Sequence, residues 1–354
     1  MTPRTHRQWR RPLAALLAGA ALAVTGCSAQ AAEGDDTVTL VLADGFGSTH
    51  PVGAGGSQTF VEYVGKHGPE VGLELDHYGA GQLGAPTDML NLIRTKAVDI
   101  GYVIPSYLAN EIPLSGIGDL PGLTEDTCQA AEMITSAMQP DGYLYDNELA
   151  EWNVQALFGG LIPDLEMMTS SKSVEHPDDV RGLLVRSAGG ISDNVIEGLG
   201  GSPVQLPSGD LYEAIARGTV DGLTTSPYVI NSYGLQDEIG YSTRGANLGA
   251  TSFFMMINHE SWERLDAAQQ KVLTKASAAG AAGVCDSIAE ANDAATGTLE
   301  EAGIVFNEVE ESNRADWQSA LTGIREDWVR DLESADIPAE KALADLEQRL
   351  QEEK

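Results

Sequence analysis

The chain has 354 residues, 42% of them hydrophobic, and sets 53 acidic side chains against 21 basic ones for a net charge of −32. So acidic a surface repels phosphate backbones and anionic lipid headgroups, which excludes nucleic acid and charge-driven membrane docking as functions. The length allows one large or two modest domains, and the six histidines fall into no cluster with metal-ligand spacing.

The first 27 residues read as an export leader. Arg4, Arg7, Arg10 and Arg11 come without an acid, the apolar run "PLAALLAGAALAV" follows, and the segment closes on "VTGC". The apolar core is too short and wrongly flanked for a stable membrane span. Small residues directly before a lone cysteine form the pattern of a bacterial lipobox, so Cys27 is expected to become the lipidated first residue, anchoring the product to the outer face of a membrane. Residues 28–37 are small and polar, a tether. No later segment is apolar enough to span a bilayer, so the rest is expected to be soluble.

"TVTLVLADG" predicts a buried first strand, followed by a Gly-rich turn around "FGSTHPVGAGG" and a helix presenting Phe60, Val61 and Val64 on one face. "LELDHY" predicts a second strand, and "PTDMLNLIRTKA" a helix with Met89, Leu92 and Ile93 at helical spacing. Strand, helix and strand in short alternation predict an α/β sheet with helical crossovers. The chain then repeats itself: in "RTKAVDIGYVIPSY" and "ARGTVDGLTTSPYV" a basic residue precedes Val-Asp, and a proline follows each aspartate by six positions, Asp99 to Pro105 and Asp221 to Pro227. Two similarly built α/β lobes are the expectation.

Past the second copy, "GATSFFMMIN" predicts a buried strand, and the segment after it a helix carrying Trp262, Leu265 and Val272. A separate Ala-rich helix ends near Gly303, long enough to touch both lobes. The acidic tail from Ser312 is helical, with Trp317, Leu321, Ile324 and Trp328 as a packing stripe. Cys128 and Cys285 lie 157 positions apart in an exported chain. They are either a disulfide or two buried thiols, and spacing does not choose between them.

Two constellations compete for chemistry. Gly79-Ala80-Gly81-Gln82-Leu83-Gly84 matches the dinucleotide fingerprint with Asp99 about 20 residues on. Asp99, however, precedes its strand instead of ending it, and an exported protein rarely meets nicotinamide cofactors. The glycines are better explained by close backbone passage. GxSxG and HExxH are both absent, so neither a catalytic residue nor a cofactor or metal is assigned. Arg186 is different. It ends the apolar run "LLV" where α/β sheets hold their ligands, and its fork of donors suits a carboxylate. Gly189 in the following "AGG" lets backbone approach closely before a helix N-terminus. The partner of Arg186 is either a ligand carboxylate or an acid across the lobes.

Several ordered segments carry a resemblance: "GAGQLGAPTDMLNLIRTKAVDIGYV", "DLPGL", "DDVRGLLVR", "GGSPVQLPSGDLYEAIARGTVDG" and "NHESWERLDAAQQKVL". With these, Val38 to Val309 resembles the solute-binding subunit of a tripartite ATP-independent periplasmic (TRAP) transporter, the DctP-type family. The resemblance implies a non-enzymatic, bilobed clamshell with chain crossovers and a long helix along both lobes. Lobe I would comprise 38–165 plus 250–280, and lobe II 166–249 plus 281–354. It implies an organic acid as ligand and, as partners, a small and a large integral membrane subunit of an ion-driven permease. It gives Arg186 the substrate carboxylate, and Thr225 and Ser208 pocket contacts. In many members a second arginine stands 20 positions before the first, and here that register falls on Glu166. Two ligand types follow. A zwitterion would set its cationic end near Glu166, and a monocarboxylate would pack an apolar body on Phe46, Tyr107 or Phe253. From the residues alone, an exported α/β enzyme acting on a small carboxylate and a sensor or scaffold module remain the alternatives.

Overall fold

The computed structural model describes residues 37–352 except Glu125 and Asp164. The leader, Cys27 and residues 28–36 of the tether lie outside the described residues. The chain builds one sheet, crosses to build a second, and returns. The outward leg comprises β1 (Val38–Ala43), α1 (Gln58–His67), β2 (Leu73–Tyr78), α2 (Met89–Arg94), β3 (Ile100–Val103), α3 (Thr127–Ala137), α4 (Ala150–Trp152) and β4 (Val154–Ile162). The second sheet takes β5 (Glu166–Thr169), β6 (Leu184–Ser187), α5 (Ile191–Gly198), β7 (Ser202–Gln205), α6 (Leu211–Ala216), β8 (Gly222–Thr225), α7 (Pro227–Ser232) and β9 (Tyr241–Arg244). Then come β10 (Thr251–Asn258), α8 (His259–Glu263), α9 (Ala267–Glu301), β11 (Val305–Glu308), α10 (Glu311–Leu321), α11 (Ile324–Glu333) and α12 (Ala339–Glu352). Strand order is β2-β1-β3-β10-β4 in the first sheet and β11-β9-β5-β8-β6-β7 in the second. Each lobe is a mixed α/β layer, and together they form the expected clamshell. Among the described residues no helix is long and apolar enough to cross a membrane.

The internal repeat is real at the level of hydrogen bonds. Asp99 gives its backbone N–H to the Val41 carbonyl (2.9 Å) and takes the Val41 N–H on its carboxylate (2.8 Å). Asp221 does the same with Leu184, at 2.7 and 2.8 Å. In each lobe an aspartate therefore fastens a strand to its parallel neighbour and fixes the register. The proline six residues on opens a helical turn, Pro105–Leu108 in one case and α7 in the other. A side chain committed to Val41, Ser261 and Arg264 has no role at a ribose, which removes the dinucleotide reading. The glycines of that motif instead carry backbone past the first strand's turn, with Gly81 N–H on the Asp44 carbonyl and Ala80 N–H on that of Phe46.

Two helical expectations need correction. The Trp262 helix and the Ala-rich helix do not divide as read. Trp262 sits on the short α8, and α9 is one uninterrupted helix of 35 residues, roughly 50 Å long. Asp266 caps it, accepting from Ala268 and Gln269 while Gln269 bonds back to Asp266 N–H. The helix packs on α1 and β4 of the first lobe and on α7 of the second. It does so across Gly55 and Gly283, where a Cβ on either residue would run into the other's carbonyl. The helix runs through the expected 280/281 division without a break, as a helix lying along both lobes does. At the tail, α12 lies on α3 of the first lobe while α11 lies on α5 of the second. In the tail, the stripe is buried at Trp317, Ile324 and Trp328, but Gly323, at φ +96, divides it between two helices. Cys128 and Cys285 are disulfide-bonded, Cα–Cα 5.9 Å, tying α3 to α9.

Candidate functional site

Arg186 is the third residue of β6, flanked by β7 and β8, and only 4% exposed. Its Nε and Nη2 both donate to the Leu206 carbonyl, at 2.9 and 2.6 Å, and Nη2 also donates to Tyr107 Oη at 3.4 Å. Among the described residues it forms no ion pair, so the acid across the lobes is not its partner. The acid whose charge it does feel, Asp193, is held by the Ser187 hydroxyl; burial drives its pKa up against the pull of Ser187 and Arg186. A buried cation whose protein contacts are one carbonyl and one phenol is expensive to keep, since a desolvated charge without a counter-ion costs several kcal/mol.

The lobes meet around this arginine. Tyr107 projects from the turn Pro105–Leu108 of the first lobe, and its Oη lies 3.0 Å from both the hydroxyl and the N–H of Ser208 in the second. Asp119, from the "DLPGL" segment, steadies that turn by accepting from Ser106 Oγ at 2.5 Å and from Ser252 N and Oγ at 2.7 and 2.6 Å. Burial pushes the Asp119 pKa up to about 6, opposed by those serine hydrogen bonds. Gly189, at φ +102, passes so close to the first lobe that a Cβ would come within 2.5 Å of the Ser106 carbonyl. The glycines after Arg186 therefore serve a left-handed turn and a tight interlobe approach.

Aromatic rings surround the same interface. Phe46 stacks on His50 at 4.8 Å and meets Tyr102 and Phe253 edge-on at 5.2 and 5.8 Å. His50 reaches across to Tyr228 and Tyr233, each 5.8 Å between centroids. Burial holds the His50 pKa down at about 4, against the pull of Asp44. Its Nδ1 accepts the Val52 N–H at 3.2 Å, which leaves the ring proton on Nε2. Burial beside Tyr107, opposed by Ser208 and Arg186, pushes the Tyr233 pKa up to about 12. These contacts connect the rings to Arg186 through Tyr233, Ser208 and Tyr107.

Of the residues singled out from sequence, Arg186, Ser208, Tyr107 and Gly189 converge directly, and Phe46 and Phe253 join them through the ring cluster. Thr225 is buried at the end of β8 opposite Glu166, and its hydroxyl takes no partner among the described residues. Glu166 is the correction. Its carboxylate is spent within the second sheet on Arg244 Nε (3.1 Å) and the Ser242 hydroxyl, so it is not a free acid awaiting a ligand's cation. Burial raises its pKa while Ser242 and Arg244 pull the other way. His50, Tyr102, Tyr228 and Tyr233 escaped the sequence reading. The one signal for the last pair is their placement in "SPYVINSY", which begins in the second copy of the repeated turn and runs on from it. Among the described residues no cluster of His, Cys, Asp or Glu could hold a metal ion. A groove of about 1390 Å³ over β4, between α3 and α9, contains none of the Arg186 cluster except that it borders the same strand as Phe253's neighbours.

A sequence profile of the bacterial extracellular solute-binding protein family 7, DctP, matches residues 60–331. The chain is 25% identical over 268 residues to the outer membrane transporter protein TsaT of Comamonas testosteroni, covering 74% of this chain and 77% of the relative. Among solved structures, a TRAP solute-binding protein from Rhodoferax ferrireducens T118, in complex with copurified benzoate, superposes with a TM-score of 0.79 at 18% identity, covering 89% of this chain and 98% of that one. A TRAP periplasmic solute-binding protein from Chromohalobacter salexigens, with bound D-glucuronate, gives 0.76 at 20% identity, covering 88% and 99%.

Proposed function

The chain belongs to the bacterial extracellular solute-binding protein family 7, DctP, and from that premise we propose that it captures a small aromatic monocarboxylate by lobe closure and hands it to the two integral subunits of a TRAP-type permease. The observation that carries this reading is Arg186, buried at the lobe interface with no carboxylate of the described residues paired to it. A ligand carboxylate supplies the missing charge, with Tyr107, Ser208 and Thr225 as polar neighbours. The ring packs on Phe46, His50 and Phe253, and rings bury large area in offset and edge-on contacts of the kind this cluster already makes. The structurally similar proteins noted above hold benzoate and D-glucuronate, two ligands that share a carboxylate, and the aromatic lining favours the former kind. Glu166 is already neutralised by Arg244, which argues against a zwitterion. The leader and Cys27 make the protein an exported lipoprotein in this proposal.

Calorimetry of the unlipidated protein with benzoate and D-glucuronate, on wild type and Arg186→Ala, tests it. Truncating one partner of a buried charged pair costs roughly 2–5 kcal/mol, so the variant should lose measurable binding. Equal binding by both proteins would remove Arg186 from the site, and recovery of a chemically altered ligand would favour an enzyme.

A further inference from the structure

Tyr228 is fully enclosed at the lobe interface, 1% exposed, yet its hydroxyl has no hydrogen-bond partner. An enclosed hydroxyl left unpaired is costly, and such a group in a native protein calls for an explanation. The ring has ordinary neighbours; only the oxygen is unspent. Next to it stands a second unspent group. His50 uses Nδ1 to accept from Val52, so Nε2 carries a proton, and no acceptor for it is found among the described residues. His50 and Tyr228 come from opposite lobes and lie 5.8 Å apart, edge to face. They meet across the interface between the lobes.

Neither group is among the hydrogen-bond partners of Arg186. Tyr233 links them to the Arg186 end, its ring 5.8 Å from that of His50 and its hydroxyl influenced by Tyr107, Ser208 and Arg186. A ligand whose carboxylate lies on Arg186 and whose ring runs along Phe46 therefore turns its far edge towards Tyr228 and His50. We infer that this end of the pocket selects a hydroxyl on the ligand's ring, which accepts from His50 Nε2–H and donates to Tyr228 Oη, so that the solute is a ring-hydroxylated aromatic monocarboxylate. The inference rests on the proposed carboxylate role of Arg186 and names the substrate class of that same site. One ligand hydroxyl satisfies both unspent groups at once, which a plain hydrocarbon ring cannot do. Burial keeps His50 neutral, so the site offers a neutral donor suited to a phenol and not a cation suited to a second carboxylate.

The test is the ratio of affinities for benzoate and for its 3-hydroxy and 4-hydroxy derivatives, by calorimetry on wild type and Tyr228→Phe, with unfolding of both ligand-free proteins measured alongside. Wild type is expected to favour at least one hydroxylated acid over benzoate by roughly tenfold, the worth of one to two buried neutral hydrogen bonds. In Tyr228→Phe that ratio should fall towards one, and the ligand-free variant should be no less stable than wild type, because the hydroxyl removed had no partner to lose. A wild-type ratio near one overturns the inference while leaving the carboxylate reading standing. So does an unchanged ratio in the variant, or a ligand-free variant that is clearly destabilised, which would show that the hydroxyl is structurally engaged. Should none of the three acids bind wild type, both the inference and the reading beneath it fall.

Discussion

Arg186 Nη2 and Tyr107 Oη lie 3.4 Å apart across the two lobes, and the same phenol oxygen sits 3.0 Å from the Ser208 N–H. One hydroxyl of the first lobe thus joins two groups of the second, so it reports on closure more directly than on folding. Tyr107→Phe should leave the unfolding midpoint nearly unchanged while speeding ligand release several-fold, as expected when a net hydrogen-bond contribution of about 1 kcal/mol is lost from the closed state alone. Stopped-flow release of a bound aromatic acid measures it. An unchanged release rate would mean that the contact contributes nothing to closure.

Gly189 gives a steric version of the same experiment. A Cβ there meets both a positive φ of +102° and the Ser106 carbonyl, so Gly189→Ala should keep the lobes apart. Small-angle scattering should then show no compaction on adding ligand, with affinity reduced by at least tenfold, since a ligand that cannot close the protein loses every contact from one lobe. Wild-type compaction in the variant would show that the loop yields.

How much of this was legible in the sequence divides along physical lines. The Val-Asp repeat, the strand alternation and the "LLVR" end are local patterns, and each marks a real strand or turn because hydrogen bonds to a neighbouring strand demand those residues. The buried end of β6 at Arg186 was visible for the same reason: an arginine ending an apolar strand has few explanations. His50 and Tyr228 were not visible, because their meeting depends on two lobes closing and neither has a local pattern. The partners of Glu166 were not legible because a register shared with a family fixes a position and says nothing of what the neighbouring strand offers. Here that strand offers Arg244. The division of α8 from α9 was missed because an Ala-rich run with glycines looks interrupted until Gly55 and Gly283 are seen to need each other's room.

Two buried carboxylates make stability depend on pH in an unusual direction. Burial lifts Glu148 from its ordinary 4.5 to about 7, against hydrogen bonds from Ser115 and Leu114, and lifts Asp119 from 3.8 to about 6. The folded protein then holds protons that the unfolded chain has released, so their contribution is full below about pH 4 and is lost as pH rises through about 6 to 7. For Glu148 the contribution is of the order of 3 kcal/mol. His50, lowered to about 4, acts oppositely, adding stability as pH rises from 4 to 6.5. Urea unfolding at pH 4.5 and 7.5 separates them: the change in stability attributable to Glu148 should be absent in Glu148→Gln. An identical pH profile in wild type and variant would show that Glu148 ionises normally.

The Cys128–Cys285 bond closes a loop of 157 residues between α3 and α9. Cross-links of this span restrict the unfolded chain by roughly 4–5 kcal/mol, and both sulfurs border the groove over β4, within reach of a small reductant. Thermal unfolding with and without dithiothreitol should show Tm falling by several degrees, with ligand affinity kept within about twofold because the bond lies within the scaffold and not at Arg186. A Tm that does not move would mean that the contacts α3 and α9 each make with β4 already hold the two helices in place.

Glu166 and Arg244 decide whether the pocket has one charged anchor or two. They pair at 3.1 Å next to the Met167–Thr243 pair of β5 and β9, with Thr225 on the other side of Glu166. Arg244 also bonds Glu308 (3.1 Å) and Thr296 (3.0 Å) and lies over the Phe306 ring at 4.2 Å. Its charge is thus divided between two acids of the second lobe, and a ligand's second carboxylate would have to displace Glu166 to reach it. Glu166→Gln should therefore cost stability, roughly 1–3 kcal/mol for a pair that is buried on one side and partly exposed on the other, without shifting the affinity for an aromatic monocarboxylate by more than about twofold. Denaturant unfolding and calorimetry on the one variant read both quantities. Lost affinity at unchanged stability would return Glu166 to the pocket and revive a zwitterionic solute, whereas lost stability at unchanged affinity leaves Arg186 as the sole ionic anchor.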